Sequence, residues 1–145
     1  MKTILVIIDF DNNDQLLIEK ASQLADAFDS KIWILHIAAP DPEFVGYDVG
    51  PQYIRDFRAE DLRKEHKRLQ EYALKLNDQG IEAEGLLVQG ATIEMVIDEA
   101  KKLKADLIVT GHREHGFFYR SLIGSVSSEV IKKSKIPVLI VPLEQ

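Results

Sequence analysis

Apolar runs of two different periods take turns along this chain, and that alternation constrains its fold more than any other feature. Ile4 to Ile8 is an unbroken β-branched and leucine run closed by Asp9, as expected of a strand buried on both faces. Asp11, Asn12, Asn13 and Asp14 then supply turn and cap chemistry. A helix follows with Leu17, Ala21, Leu24, Ala25 and Phe28 on one face, and Lys31 to Ala38 reads as a second buried strand. Ala39 to Gln52 holds prolines and glycines without a period, which predicts a long loop. Tyr53 to Asn77 returns to the helical period, with Ile54, Phe57, Leu62, Leu69, Tyr72, Ala73 and Leu76 as its inner stripe and a solvated charged face opposite. Ile81 to Val88 is a third strand, polar enough to belong at a sheet edge. Thr92 to Lys102 is helical through Ile93, Val96, Ile97 and Ala100, with Leu103 just beyond. Asp106 to Thr110 is a fourth strand, Leu122 to Lys133 a helix, and Pro137 to Val141 a fifth strand. Five strands alternating with four helices imply right-handed crossovers and a doubly wound α/β architecture, a parallel sheet with helices on both faces.

Composition limits what such a sheet can be for. A chain of 145 residues suits one domain, 1–145, and 46% hydrophobic with 29% charged residues is the balance of a soluble globular protein. The net charge of −6 provides no basic field for nucleic acid or an anionic bilayer, so neither is an expected partner. With no cysteine there can be no disulfide or thiolate metal site, which fits a reducing cytosol. The opening run MKTILVIIDF is too short for a membrane span and has no small-residue cleavage site, so a cytoplasmic location is expected.

In open parallel sheets the ligand lies beyond the carboxyl ends of the strands, where the winding direction reverses. If the first strand is central, Asp9 and Gly111 both lie there. Asp9 can accept a hydrogen bond from a ribose hydroxyl or an adenine amine, or it can hold the backbone of the next turn. Gly124 and Ser125, just before VSSEVIKK, can offer backbone amides to phosphate at a helix start, or can simply turn and cap that helix. His36, inside an apolar strand, reads as a satisfied core residue. His112 and His115 lack a carboxylate pair at helical metal spacing, and no structural metal is expected. No nucleophile–histidine–acid arrangement is legible, and no lysine follows a glycine loop as in a Walker motif.

The runs ILVIID and ILHI, the element around Val88, Gly90 and Val96, then DLIVTG and GSVSSEVIKKSKIPVLIVP, together resemble the universal stress protein family over essentially the whole chain. The resemblance implies a Rossmann-like sheet of strand order 3-2-1-4-5. Members that bind ATP carry G-x(2)-G-x(9)-G-[ST]; Gly111, Gly124 and Ser125 fall at that spacing, whereas Glu114 occupies the second glycine position. The resemblance further implies that Asp9 and the backbone around Ile37 hold adenine and ribose, while Gly111, His112, Arg113, Glu114, Gly124 and Ser125 surround the phosphates of ATP, ADP or AMP, with or without magnesium. Arg113, His115 and Arg120 can offset the charge of Glu114. The expected function is a cytoplasmic stress-response switch or sensor that binds adenine nucleotide. The competing expectation is a nucleotide-free dimeric adaptor whose phosphate loop Glu114 has impaired, with partners reading the surface near the 39–52 loop. No catalytic residue is assigned, and a slow ATPase rests on the resemblance alone. The apolar run Pro137 to Val141 would leave a bare sheet edge, so a homodimer through that strand is expected, as the resemblance also implies.

Overall fold

The computed structural model describes residues 1–10, 12–38, 52–89, 93–112 and 135–143, without the side chains of 38, 52–58, 93–95 and 112. Along this described chain run β1 (Thr3–Ile8), α1 (Asp14–Phe28), β2 (Lys31–Ala38), α2 (Gln52–Asp78), β3 (Ala83–Gln89), α3 (Ile93–Lys102), β4 (Leu107–His112) and β5 (Val138–Pro142). The strands form one parallel sheet in the order β3-β2-β1-β4-β5, the expected doubly wound arrangement. The loop expected from Ala39 onward lies outside the described residues, apart from Gln52, which already starts α2. The helix expected over Leu122 to Lys133 lies outside them too.

Side-chain alternation divides the core into two layers. Ile4, Val6 and Ile8 of β1 pack with Leu17, Ile18 and Ala21 of α1 and with Leu69, Ala73 and Leu76 of α2. Leu5 and Ile7 point the other way, toward Val96, Ile97 and Ala100 of α3. All five β1 residues are at most 3% exposed, which explains a strand with no polar position between Ile4 and Ile8. Each such aliphatic burial contributes about 1.5–3 kcal/mol. Right-handed crossovers explain the division: β1 to β2 and β2 to β3 step one way, placing α1 and α2 on one face, and the return from β3 to β4 puts α3 on the other. The winding therefore reverses at β1.

Close packing is tightest where α2 crosses β3. A β-carbon added at Gly85 would lie 2.7 Å from Leu69 Cβ, so glycine there lets the helix settle on the edge strand. At the base of the sheet Asp106 accepts the Lys2 and Thr3 N–H groups at 2.8 and 3.0 Å, which hold its carboxyl below its usual pKa. Both edges match expectation, with the polar β3 at one and the C-terminal β5 at the other. On β5, Val141 is buried, whereas Leu139 and Ile140 are 38% and 44% exposed.

Two expectations for α1 need correction. Phe28 is 54% exposed and not on the inner face, because it is the last helical residue and the chain then turns left-handed at Asp29 (φ 53°). Asn13 occupies the N-cap position without a side-chain cap bond, while Asp14 is a buried first helical residue that keeps its expected turn role by accepting the Asp9 N–H.

Candidate functional site

The strand registers leave a notch above β1. Its pairing with β2 ends at Ile8↔His36, although β2 stays paired with β3 as far as Ala38↔Gln89. On the other side, β1 and β4 part after Val6↔Val109, although β4 stays paired with β5 as far as His112↔Pro142. Ile37 and Ala38 thus form one wall and Thr110 to His112 the other, with Asp9 on the floor where β1 leaves the sheet. Parallel strands ending at unequal heights around the reversal point are what opens such a cleft.

Asp9 is exposed and follows the buried Ile8. Asp9 and Ile37 are the next residues after the last β1–β2 pair, Ile8↔His36, and Ile37 packs on the α3 side. An accessible carboxylate where β1 leaves the sheet suits a ligand that presents hydroxyl or amine donors. His36, one residue before Ile37, stands on the opposite face and donates from Nδ1 to the Ile8 carbonyl at 2.9 Å, the satisfied role expected of it.

Gly111 lies against the Leu143 side chain, which a β-carbon there would push aside. The backbone of His112 lies at the wall of the notch. Arg113, Glu114, Gly124 and Ser125 lie outside the described residues. Among the described residues no group of three His, Asp or Glu side chains could hold a metal ion, and no helix is long and apolar enough to cross a membrane.

The turn from β1 into α1 holds a cluster that sequence reading missed. Asp14, 1% exposed, accepts the Asp9 backbone N–H at 3.3 Å and the Tyr72 hydroxyl at 3.2 Å. Phe10 sits between them in sequence with φ 59°, a left-handed conformation that bulky residues rarely adopt. Its ring lies 4.3 Å from that of His36 and 6.4 Å from that of Tyr72, and the Arg68 guanidinium rests 4.4 Å from its centroid. Burial, then the Asp14 carboxylate, pushes the Tyr72 hydroxyl pKa up. The available signal was Tyr72 itself: a tyrosine in an apolar stripe needs a partner for its hydroxyl.

A doubly wound parallel sheet of this strand order defines the Rossmann-like class of α/β proteins. The model of the universal stress protein family matches residues 1–142, and the chain belongs to that family. Universal stress protein A homolog 2 of Coxiella burnetii is 32% identical over 146 residues, covering 99% of this chain and 96% of its own. The solved structure of hypothetical protein MJ0577 superposes with a TM-score of 0.75 at 22% identity, covering 99% and 97% of the two chains. A universal stress protein family protein of Arabidopsis thaliana, solved with AMP bound, superposes with a TM-score of 0.66 at 19% identity, covering 99% and 93%.

Proposed function

We propose that the chain binds an adenine nucleotide, AMP, ADP or ATP with or without magnesium, in the notch above β1 and acts as a cytoplasmic stress-response switch or sensor. The feature supporting this reading is the unequal height of the strands around β1: β1 stops pairing at Ile8, with Asp9 next, while β2 runs on through Ile37 and β4 through His112. The AMP-bound family protein of Arabidopsis thaliana, with the same fold, supports the choice of ligand. Asp9 and the Ile37 backbone hold the nucleoside end in this reading. Gly111, His112, Arg113, Glu114, Gly124 and Ser125 surround the phosphates. Residues 1–145 act as one universal stress protein domain, paired with a second copy through β5, whose exposed Leu139 and Ile140 suit such a contact. No residue is assigned a catalytic role, and hydrolysis goes no further than a slow ATPase.

Mass spectrometry of the gently purified protein, followed by calorimetry with each nucleotide, tests the reading. A co-purifying adenine nucleotide, or measurable heat of binding, is the expected result. Absence of both with all three nucleotides would favour a nucleotide-free dimeric adaptor. The specific support for that alternative is Glu114 at a glycine position of the motif.

A further inference from the structure

We infer that Asp14 is a positioning residue for the nucleoside end of the notch, acting through the Asp9 backbone, and that Tyr72 holds Asp14 in that role from α2. The inference rests on the adenine-nucleotide reading above. A carboxylate 1% exposed is an expensive way to begin a helix, because desolvating it costs several kcal/mol unless donors meet it. A serine or asparagine cap does the same local work more cheaply. What Asp14 adds is reach: it takes the N–H of Asp9 five residues back at 3.3 Å and the Tyr72 hydroxyl at 3.2 Å. One buried side chain therefore joins the floor of the notch to a helix that packs on the opposite face of the sheet.

Phe10, at the start of the turn, is held from several sides. Phe10 is held at φ 59° with its ring between His36 and Arg68, and a left-handed bulky residue persists only where its surroundings over-determine it. Asp9 leaves β1 between two fixed points, Ile8 in the ladder and Phe10 in its aromatic contacts, with its own N–H tied to Asp14. The direction of its carboxylate then depends on the Asp14 tie, and a hydrogen bond to a ligand weakens steeply when misaimed.

Calorimetry with AMP, ADP and ATP on Tyr72→Phe and Asp14→Asn, each alone and combined with Asp9→Ala, tests this. Tyr72→Phe is expected to weaken all three nucleotides by a common factor of about 3, and Asp14→Asn by about 10, as for partial and full loss of one aligned hydrogen bond. In the Asp9→Ala background the same changes should alter affinity by less than about twofold, because positioning acts only through Asp9. Undiminished losses in that background would mean that Asp14 and Tyr72 serve general stability, and would overturn the inference. If the wild-type protein takes none of the three nucleotides, the ligand reading fails by itself. The tie is then judged by amide exchange: faster exchange at the Asp9 N–H in Tyr72→Phe, with Ile4 to Ile8 unchanged, supports it, and unchanged Asp9 exchange removes it. Tyr72→Phe deletes only an oxygen, so it remains informative should Asp14→Asn not fold.

Discussion

Tyr72 ties the protein's stability to alkaline pH. Partial burial, followed by the nearby Asp14 carboxylate, raises its hydroxyl pKa in the folded state, while Arg68 works the other way. In the unfolded chain a tyrosine titrates near pH ~10. Because the folded value is the higher one, the native state holds this proton more tightly. The contribution is complete below pH ~10 and is lost as pH climbs through the folded value. Urea midpoints across pH 8 to pH ~12 should fall less steeply for Tyr72→Phe than for the wild type; parallel curves would show that the shift has no energetic weight. Asp9 gives a ligand-side prediction, since AMP, ADP and ATP share the nucleoside end. Asp9→Ala should weaken each by a similar factor of about 10 to 100, the worth of one hydrogen bond to a charged group, as read by calorimetry. Glu114 should discriminate among the same three. At an effective dielectric of about 20, two like charges roughly 4 Å apart repel by about 4 kcal/mol, which solvent and neighbouring arginines reduce to ~1 kcal/mol. Glu114→Gly should accordingly tighten ATP about tenfold relative to AMP without magnesium. An unchanged ratio removes the repulsion, and a shift toward AMP only with magnesium would make Glu114 a cation ligand.

Helix α2 settles on β3 because Gly85 leaves room for Leu69, which is itself fully buried. Gly85→Val should force the helix off the edge strand and cost about 1–3 kcal/mol, measured by urea unfolding monitored through Trp33, the single tryptophan. Loss well below that range would mean that α2 shifts without resistance. The same elements show why so much of the fold was legible. A parallel strand covered on both faces must be apolar at every position, so Ile4 to Ile8 and Ile32 to Leu35 announce themselves, and the exposed Glu84 of β3 marks an edge. Boundaries were less legible, because a period does not say where the sheet stops covering a helix. Phe28 completes the stripe of α1 by spacing, yet stands past the last residue the sheet can shelter. The run Asp11 to Asp14 has four residues of nearly equal turn chemistry, and nothing local says that Asp14 is the one buried under Tyr72. For the notch, the places of Asp9 and Ile37 beyond the last β1–β2 pair follow from strand order. The contact of Leu143 with Gly111 does not, since it depends on the β4–β5 register.

The two edge strands differ in character. β3 presents Glu84, paired with Lys31, whereas β5 presents Leu139 and Ile140. An apolar parallel edge is a ready template for a second copy. Leu139→Asp should convert a homodimer to monomer in sedimentation at micromolar protein with little loss of protomer stability, since Leu139 is 38% exposed; a wild-type chain that sediments only as monomer rejects the dimer. The notch has a consequence in folding time. Thr3↔Lys31 joins residues 28 apart (31 − 3), while Ile4↔Leu107 joins residues 103 apart (107 − 4), so the β1–β4 seam closes by far the longer loop. Loop-closure entropy favours assembling β1, β2 and β3 first and adding β4 late. Ile32→Val should then slow refolding, and Val109→Ala should mainly speed unfolding. On that order, the wall formed by Thr110 to His112 would be completed after the rate-limiting barrier. A ligand of the notch would then lengthen the lifetime of the native protein without hastening its formation.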